Sequence, residues 1–158
     1  MTTTEVTIDR RADSHKAIQR LIDHRTEMLT LYSELATHRP FKETPQIIEL
    51  LQRFCQSLID YTADAHLRLY QFIENNNERR VSMLSVAKRI YPRIADATDT
   101  ILDFNDLYDS LEQCKDLHKL ENELSKLGEI LADRIELEDQ LINVIRSPRD
   151  EDEDVQSE

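Results

Sequence analysis

Apolar residues recur at steps of three and four along most of this chain, a spacing that places them on one face of an α-helix. The first such stripe starts near Asp13, and Arg25 occupies one of its slots. Pro40 and Pro45 end this helix, because proline cannot continue a helix and biases the preceding residue towards an extended conformation. The apolar members of the stripe are Ile18, Leu21, Met28, Tyr32 and Leu35.

A second helix is predicted from Pro45, with Thr44 as its N-cap and proline in the first helical position. The three asparagines at 75–77 are predicted to end it. Its stripe consists of Ile47, Leu51, Phe54, Leu58, Tyr61, Ala65, Leu69 and Phe72.

Two further helical runs complete the chain. Pro92 interrupts the third run and should kink it or split it in two. The third stripe contains Val81, Leu84, Ala87, Ile90, Ile94, Ala97, Ile101, Phe104 and Leu107. The last run spans about Asp116 to Arg146, with a stripe of Leu117, Leu120, Leu124, Leu127, Leu131, Ile135, Leu141 and Ile145. Four amphipathic helices without an evident strand predict an all-α, single-domain antiparallel four-helix bundle with a Pro-kinked or split third helix.

Gly128 is the only glycine of the chain and lies beside the last stripe. Its missing side chain either allows another helix to approach closely, or leaves a weak spot in the helix that costs about 1 kcal/mol. With a single glycine, the chain has no glycine-rich loop for binding phosphate, which excludes the nucleotide-binding folds that need one.

The net charge and the cysteine spacing narrow the partners and the cellular compartment that the sequence allows. The formal net charge is −12, which repels nucleic acid and attracts a basic partner. Cys55 and Cys114 lack CxxC spacing and no apolar run approaches 18 residues, so we expect a soluble cytoplasmic protein with two buried or half-buried free thiols. We expect a flexible N-terminal arm (1–9), a helical bundle domain (10–146) and a disordered acidic tail (147–158).

Helical bundles often hold metals, so the histidines need separate attention. No histidine is preceded by glutamate at three positions, which excludes the Glu-x-x-His motif of di-iron bundles. Asp60 and His66 lie on one helix but point about 120° apart, so they do not form a catalytic dyad. We expect no enzyme activity, no metal and no cofactor. The remaining candidates are isolated ligand pairs with too few members for a metal site: His24 with Glu27, His118 with Glu121, and Cys114 with His118.

The back face of the second helix mixes polar and apolar residues. Asp60 lies about 140° from the centre of the stripe, beside Asp64 and Leu67. A solvated face and a partner-binding face are both consistent with this pattern. His66 lies at the edge of the widened apolar stripe, which favours a hydrogen-bonded residue near the core over a ligand contact.

The segment FCQSLIDYTADAHLRLYQFI at 54–73 closely resembles the signature helix of the Rsd/AlgQ family, where the pattern runs FCQxLVDYxSAGHFxxYE. Three further segments resemble the other family helices in order and spacing, and together they cover most of residues 15–146. These segments are RLIDHRTEMLTLYSELA at 20–36, VAKRIYPRIADATDTILDFND at 86–106 and LSKLGEILADRIELEDQLI at 124–142. The chain differs from the family where TADAH replaces SAGH, and where Leu21 and Tyr91 replace tryptophans common in the family.

The family consists of bacterial proteins that bind the primary sigma factor of RNA polymerase. The resemblance therefore implies an anti-sigma factor that binds the C-terminal, −35-reading helix-turn-helix region of sigma and keeps it from promoter DNA and core polymerase. It further implies a monomer that binds one sigma factor, without direct contact to nucleic acid or membrane. A helical-bundle adaptor or allosteric regulator of another stress-response protein is the alternative.

The resemblance also implies residue roles. Asp60 falls on the family aspartate implicated in sigma binding, and Arg20, Arg25 and His66 fall on characteristic family positions. The candidate partner-binding residues are these four together with two neighbours of Asp60 on the back face, Asp64 and Leu67.

Arg25 has a second interpretation because it occupies a slot of the core stripe. A charge in that position needs a partner, and Glu138 or Asp139 is the expected carboxylate. Arg25 is thus expected either to pair inside the bundle or to contact the partner directly, because a guanidinium binds carboxylates in both settings.

Overall fold

The structure of the chain is a computed structural model that describes the backbone of residues 3–70 and 81–146. Within these ranges the fold is all-helical without strands, which confirms the predicted class. A π-helical turn lies at His66–Tyr70 and a short 3-10 helix at Gln113–Lys115. The four α-helices are α1 (Thr3–Ala36), α2 (Pro45–Ala65), α3 (Val81–Tyr108) and α4 (Leu120–Arg146). Their antiparallel order stays a prediction.

The start of α2 agrees with the sequence prediction. Thr44 has an extended backbone, and its hydroxyl accepts a hydrogen bond from the Ile47 N–H at 3.3 Å. Pro45 follows as the first helical residue, where its missing N–H removes no helical hydrogen bond. The turn chemistry of the sequence therefore fixes where this helix begins.

Other helix boundaries differ from the prediction. α1 begins at Thr3 rather than near Asp13, because helical hydrogen bonding continues beyond the apolar stripe that marks the core face. α4 begins at Leu120 rather than near Asp116, since Asp116 is extended and its carboxylate accepts the His118 N–H at 3.0 Å. The division into arm, domain and tail stays a prediction. The asparagine stop at 75–77 and the acidic tail lie outside the described residues.

α3 passes through Pro92 as one helix, so the predicted split is wrong, and the kink stays a prediction. The end of its stripe also differs, because Leu107 is 48% exposed whereas Tyr108 is buried. Tyr108 continues the alternation of three- and four-residue steps from Phe104, which places it on the core face.

The core is a single cluster to which all four helices contribute apolar side chains. Most predicted stripe residues are buried there, including Leu21, Phe54 and Leu131. In α4 the prediction is partly wrong, since Ile135 and Ile145 are only half-buried while Arg134 and Glu138 are fully buried.

Cys55 and Cys114 are free and buried, as the sequence predicted. Both thiols donate to the backbone carbonyl of Tyr108, with sulfur–oxygen distances of 3.9 and 3.3 Å. Burial raises the pKa of Cys55 to about 12, and nearby Cys114 and Asp109 add to the shift. These thiols therefore behave as small core residues with little thiolate character.

Gly128 permits the close approach that the sequence suggested as one alternative. The Tyr32 side chain of α1 lies directly over it, and the Tyr32 hydroxyl donates to the Leu124 carbonyl at 2.9 Å. A Cβ atom at position 128 would overlap the Tyr32 hydroxyl. The glycine is therefore required by the packing of α1 against α4.

Gly128→Ala should lower the free energy of unfolding by about 1–3 kcal/mol through overpacking, even though alanine favours a helix by about 1 kcal/mol. In a Tyr32→Phe background the overlapping hydroxyl is absent, so the same substitution should cost at least about 1 kcal/mol less. Urea unfolding of the four proteins of this double-mutant cycle measures the difference. Equal costs in the two backgrounds would show that Tyr32 does not set the constraint.

Stability should fall as the pH rises above about 9. Below the ordinary pKa of 9.0, the Cys55 thiol is protonated in both states; between 9.0 and about 12 it is ionised only in the unfolded chain. Unfolding then releases a proton, so the free energy of unfolding should fall by up to about 1.4 kcal/mol per pH unit for this group. Cys55→Ala removes this contribution and should flatten the pH dependence. Identical slopes for the two proteins would contradict the assignment.

Candidate partner-binding surface and buried charge network

One face of α2 and the following π-turn is fully open to solvent. Its exposed residues follow steps of three, four, three and four, namely Arg53, Gln56, Asp60, Ala63 and Leu67. The Gln56 side-chain amide donates to the Asp60 carboxylate at 2.9 Å, and the Leu67 side chain is 51% exposed. The face thus carries a carboxylate without a described ion-pair partner and, about two helical turns further along, a large exposed apolar side chain.

Asp64 lies at the edge of this face and differs from Asp60. Its Oδ1 accepts from Arg68 Nε at 2.8 Å, and its side chain is only 12% exposed. Its second oxygen, Oδ2, is buried without a hydrogen-bond partner among the described residues. Asp64 therefore has an internal partner, whereas Asp60 points to solvent.

The structure places His66 at the surface. Leu69 is completely buried, while His66 and Leu67 are both exposed. The prediction of a near-core His66 is wrong, because Ala65 and Leu69 take the core-facing positions on either side of it. The histidine lies in a π-helical turn, His66–Tyr70. Such turns often occur at functional sites, so the position of this one at the end of the exposed face is noteworthy.

The six sequence-predicted residues differ in exposure. Arg20, Asp60, His66 and Leu67 are exposed, on α1 and on α2 with its π-turn. Asp64 is mostly buried beside Arg68, and the Arg25 side chain is only 11% exposed.

Arg25 pairs with both carboxylates expected from the sequence. Its Nη2 donates to Glu138 Oε1 at 3.1 Å, and its Nη1 donates to Asp139 Oδ1 at 2.8 Å. Burial disfavours its charge, but the electrostatic attraction of the Tyr61 oxygen, the hydrogen bond to Asp139 and the negative charges of Glu138 and Asp139 raise the Arg25 pKa overall. The internal pairing of Arg25 is thereby confirmed.

Glu138 is the centre of a larger buried network. Its Oε1 also accepts from the Tyr61 hydroxyl, and its Oε2 accepts from Arg134 Nε at 2.9 Å. Arg134 Nη1 donates to Thr98 Oγ1 at 2.8 Å, and the guanidinium lies 5.8 Å from the centre of the Tyr61 ring. Tyr61, Arg134 and Glu138 are all 0% exposed. Burial raises the pKa of Tyr61 well above its ordinary value, and the charge and hydrogen bond of Glu138 raise it further, so its phenol stays a donor.

Sequence reasoning anticipated the carboxylates but missed the burial of Glu138 and the role of Arg134. A signal was present, because Leu127, Leu131, Arg134, Glu138 and Leu141 follow steps of four, three, four and three. Two opposite charges at i and i+4 inside such an alternation indicate a buried ion pair rather than a break in the stripe.

Within the described residues, no group of three or more His, Cys, Asp or Glu side chains is arranged to hold a metal ion. In the same part of the chain, no helix combines the length and apolar character needed to cross a membrane.

Arg25→Ala should lower the free energy of unfolding by about 2–3 kcal/mol, because Glu138 loses one of its two cations in a site shielded from water. The exposed Arg53 provides a matched control, and Arg53→Ala should change stability by less than about 0.5 kcal/mol. Urea unfolding at neutral pH compares the two variants. Equal, small effects would show that the Arg25 network contributes no net stability.

Comparison with known proteins identifies relatives of this chain. A protein-family model described as "Regulator of RNA polymerase sigma(70) subunit, Rsd/AlgQ" matches residues 1–146. A "Regulator of sigma D" from Salmonella paratyphi B (strain ATCC BAA-1250 / SPB7) is 34% identical over 142 residues, covering 87% of this chain and 86% of the relative. Proteins of the same name from Yersinia pestis bv. Antiqua (strain Angola) and Enterobacter sp. (strain 638) are also 34% identical, over 82% and 85% of this chain and 79% and 82% of theirs. No solved structure matches it significantly. The chain therefore belongs to the Rsd/AlgQ family of regulators of the RNA polymerase sigma(70) subunit.

Proposed function

We propose that this protein is an anti-sigma factor that binds the C-terminal, −35-reading region of the primary sigma factor and sequesters it from promoter DNA and core RNA polymerase. The observation that carries the proposal is family membership over residues 1–146, together with relatives named for the regulation of sigma D. The proposal goes further than those names, because it specifies the region of sigma and the mechanism.

The exposed face of α2 supports the proposal. Asp60 offers a carboxylate to a basic surface, and Leu67 supplies apolar area that a partner could remove from water. Interfaces commonly combine a buried apolar contact with charged residues that select and orient the partner. Arg20 and His66 are exposed as well, and we assign them to the contact surface.

Asp64 and Arg25 have a different role in this proposal. Asp64 is paired with Arg68, and Arg25 is paired with Glu138. Both side chains are largely withdrawn from solvent and already neutralised inside the protein. We therefore assign them to supporting the surface from behind, where they keep α2 and its π-turn in place.

The mechanism is occlusion. A region of sigma that reads the −35 element must carry cations that contact DNA phosphates, so an acidic protein can compete for the same surface. The net charge of −12 accelerates the encounter with such a partner at low salt. One monomer covers one sigma factor in the cytoplasm, and neither catalysis nor a cofactor is needed.

Asp60→Ala should weaken binding to a purified C-terminal sigma fragment by more than about 1 kcal/mol, because the substitution removes a charged contact outside the core. Asp103→Ala is the matched control, since Asp103 is an exposed aspartate on α3 and the change in net charge is identical. Isothermal titration calorimetry measures both affinities, and thermal unfolding checks that each variant is folded.

Equal affinity for Asp60→Ala and the parent protein would remove Asp60 from the interface. Failure of the folded parent protein to bind the fragment at micromolar concentrations would refute the anti-sigma assignment itself. A loss of affinity equal in both aspartate variants would indicate that only the net charge matters.

A further inference from the structure

A groove of about 450 Å³ lies between α1 and α4, and no residue of α2 lines it. Leu29 of α1 and Ile135 of α4 line it, and Gly128 and Ala132 form part of its α4 wall. The last two residues are four positions apart, so they lie above one another on the same face of the helix. The Tyr32 side chain occupies the space over Gly128, whereas Ala132 is exposed and contributes only a methyl group to the wall.

Two contacts between α1 and α4 flank Leu29 along α1. The Tyr32 hydroxyl bonds to the Leu124 carbonyl, and Arg25 bonds to Asp139. Leu29 lies between Arg25 and Tyr32 in the sequence and lines the groove together with Ala132. Leu29 is 37% exposed, so an apolar side chain in the groove is open to solvent.

The charge around the groove is acidic. Glu136 lines it and is exposed, with no described ion-pair partner. Asp139 also lines it, and its side chain is 50% exposed despite the bond to Arg25. No lining residue that the structure describes is lysine or arginine. An apolar floor with carboxylates at its edge is complementary to an apolar side chain that has a cation nearby.

We propose that this groove binds a basic amphipathic helix of the sigma fragment, with a large apolar side chain over Ala132 and a lysine or arginine beside Glu136. The inference rests on the proposed function and adds a second contact surface to it. Ala132 and Glu136 are four residues apart, so a partner helix with an apolar residue and a cation three or four positions apart has matching spacing. A helix-turn-helix region that binds DNA supplies helices with such cations.

The steric test fills the groove in the full-length protein. Ala132→Leu places a larger side chain in the space reserved for the partner, and should weaken binding to the sigma fragment by about tenfold or more. Ala95→Leu is the matched control, because Ala95 is an exposed alanine inside α3 and the chemical change is the same. The control should change affinity by less than about twofold.

The electrostatic test removes one charge from the rim. Glu136→Gln should weaken binding about threefold or more at low salt, and the difference should shrink as salt screens the interaction. Glu121→Gln is the control, because Glu121 is an exposed glutamate of the same helix about 22 Å away along its axis. Glutamine has nearly the same shape as glutamate, so comparing Glu136→Gln with Glu121→Gln tests the groove proposal even if Ala132→Leu does not fold.

Three results would overturn the groove proposal. Parent-like affinity of Ala132→Leu and Glu136→Gln would refute the groove while leaving the anti-sigma function intact. An equal loss of affinity in the groove variants and their controls would show that the effect is not specific to this surface. Absence of binding by the parent protein would refute both proposals together.

Discussion

The buried carboxylate of Glu138 is the interaction on which the arrangement of this fold depends. It accepts hydrogen bonds from Arg25 of α1, Tyr61 of α2 and Arg134 of α4, and Arg134 in turn bonds to Thr98 of α3. One carboxylate thereby connects all four helices. A charge in the interior is strongly unfavourable unless it is paired and fully hydrogen-bonded, so arrangements that separate these partners are disfavoured. The network consequently specifies which helix faces meet, in addition to any net stability it supplies.

The same network lies beneath both candidate contact surfaces. Tyr61 is buried and follows Asp60 directly in the sequence. The hydrogen bond that holds the Tyr61 side chain in the core therefore also fixes Asp60 on the outer face of α2. Arg25 lies one helical turn before Leu29, and its partner Asp139 lines the groove between α1 and α4. Surfaces supported by locked residues on rigid helices lose less conformational entropy on binding than loops do. In the proposed function, the buried charges contribute to recognition by fixing the positions of the residues above them.

Features that depend on local spacing were predictable from the sequence. The Thr44 cap and the pairing of Arg25 with Glu138 or Asp139 follow from position in a helix and elementary chemistry, whereas the close approach at Gly128 was one of two alternatives. The burial of Arg134 was missed because a hydropathy stripe assigns charges to the surface, whereas a fully paired charge can replace an apolar residue. The π-turn at His66–Tyr70 could not be predicted, because it is a change in backbone hydrogen bonding that no residue pattern in α2 indicates. The groove could not be predicted from the sequence either, because it depends on how α1 and α4 are aligned against each other.

The distribution of charge separates two contributions to recognition. Arg25 and Arg134 are balanced by Glu138 and Asp139, so the network leaves the net charge of −12 to be carried by the rest of the chain. That surface charge attracts any basic molecule, including proteins other than sigma, and its effect weakens with salt. Selectivity must therefore come from short-range features, and exposed Leu67 and Leu29 are the apolar side chains that each surface presents. A partner gains from covering them only if its own apolar residues and cations have matching positions, because an unpaired charge in the contact would cancel the gain. In the proposed mechanism, the net negative charge sets the rate of encounter with basic partners, and the shape around these two leucines sets which complexes persist.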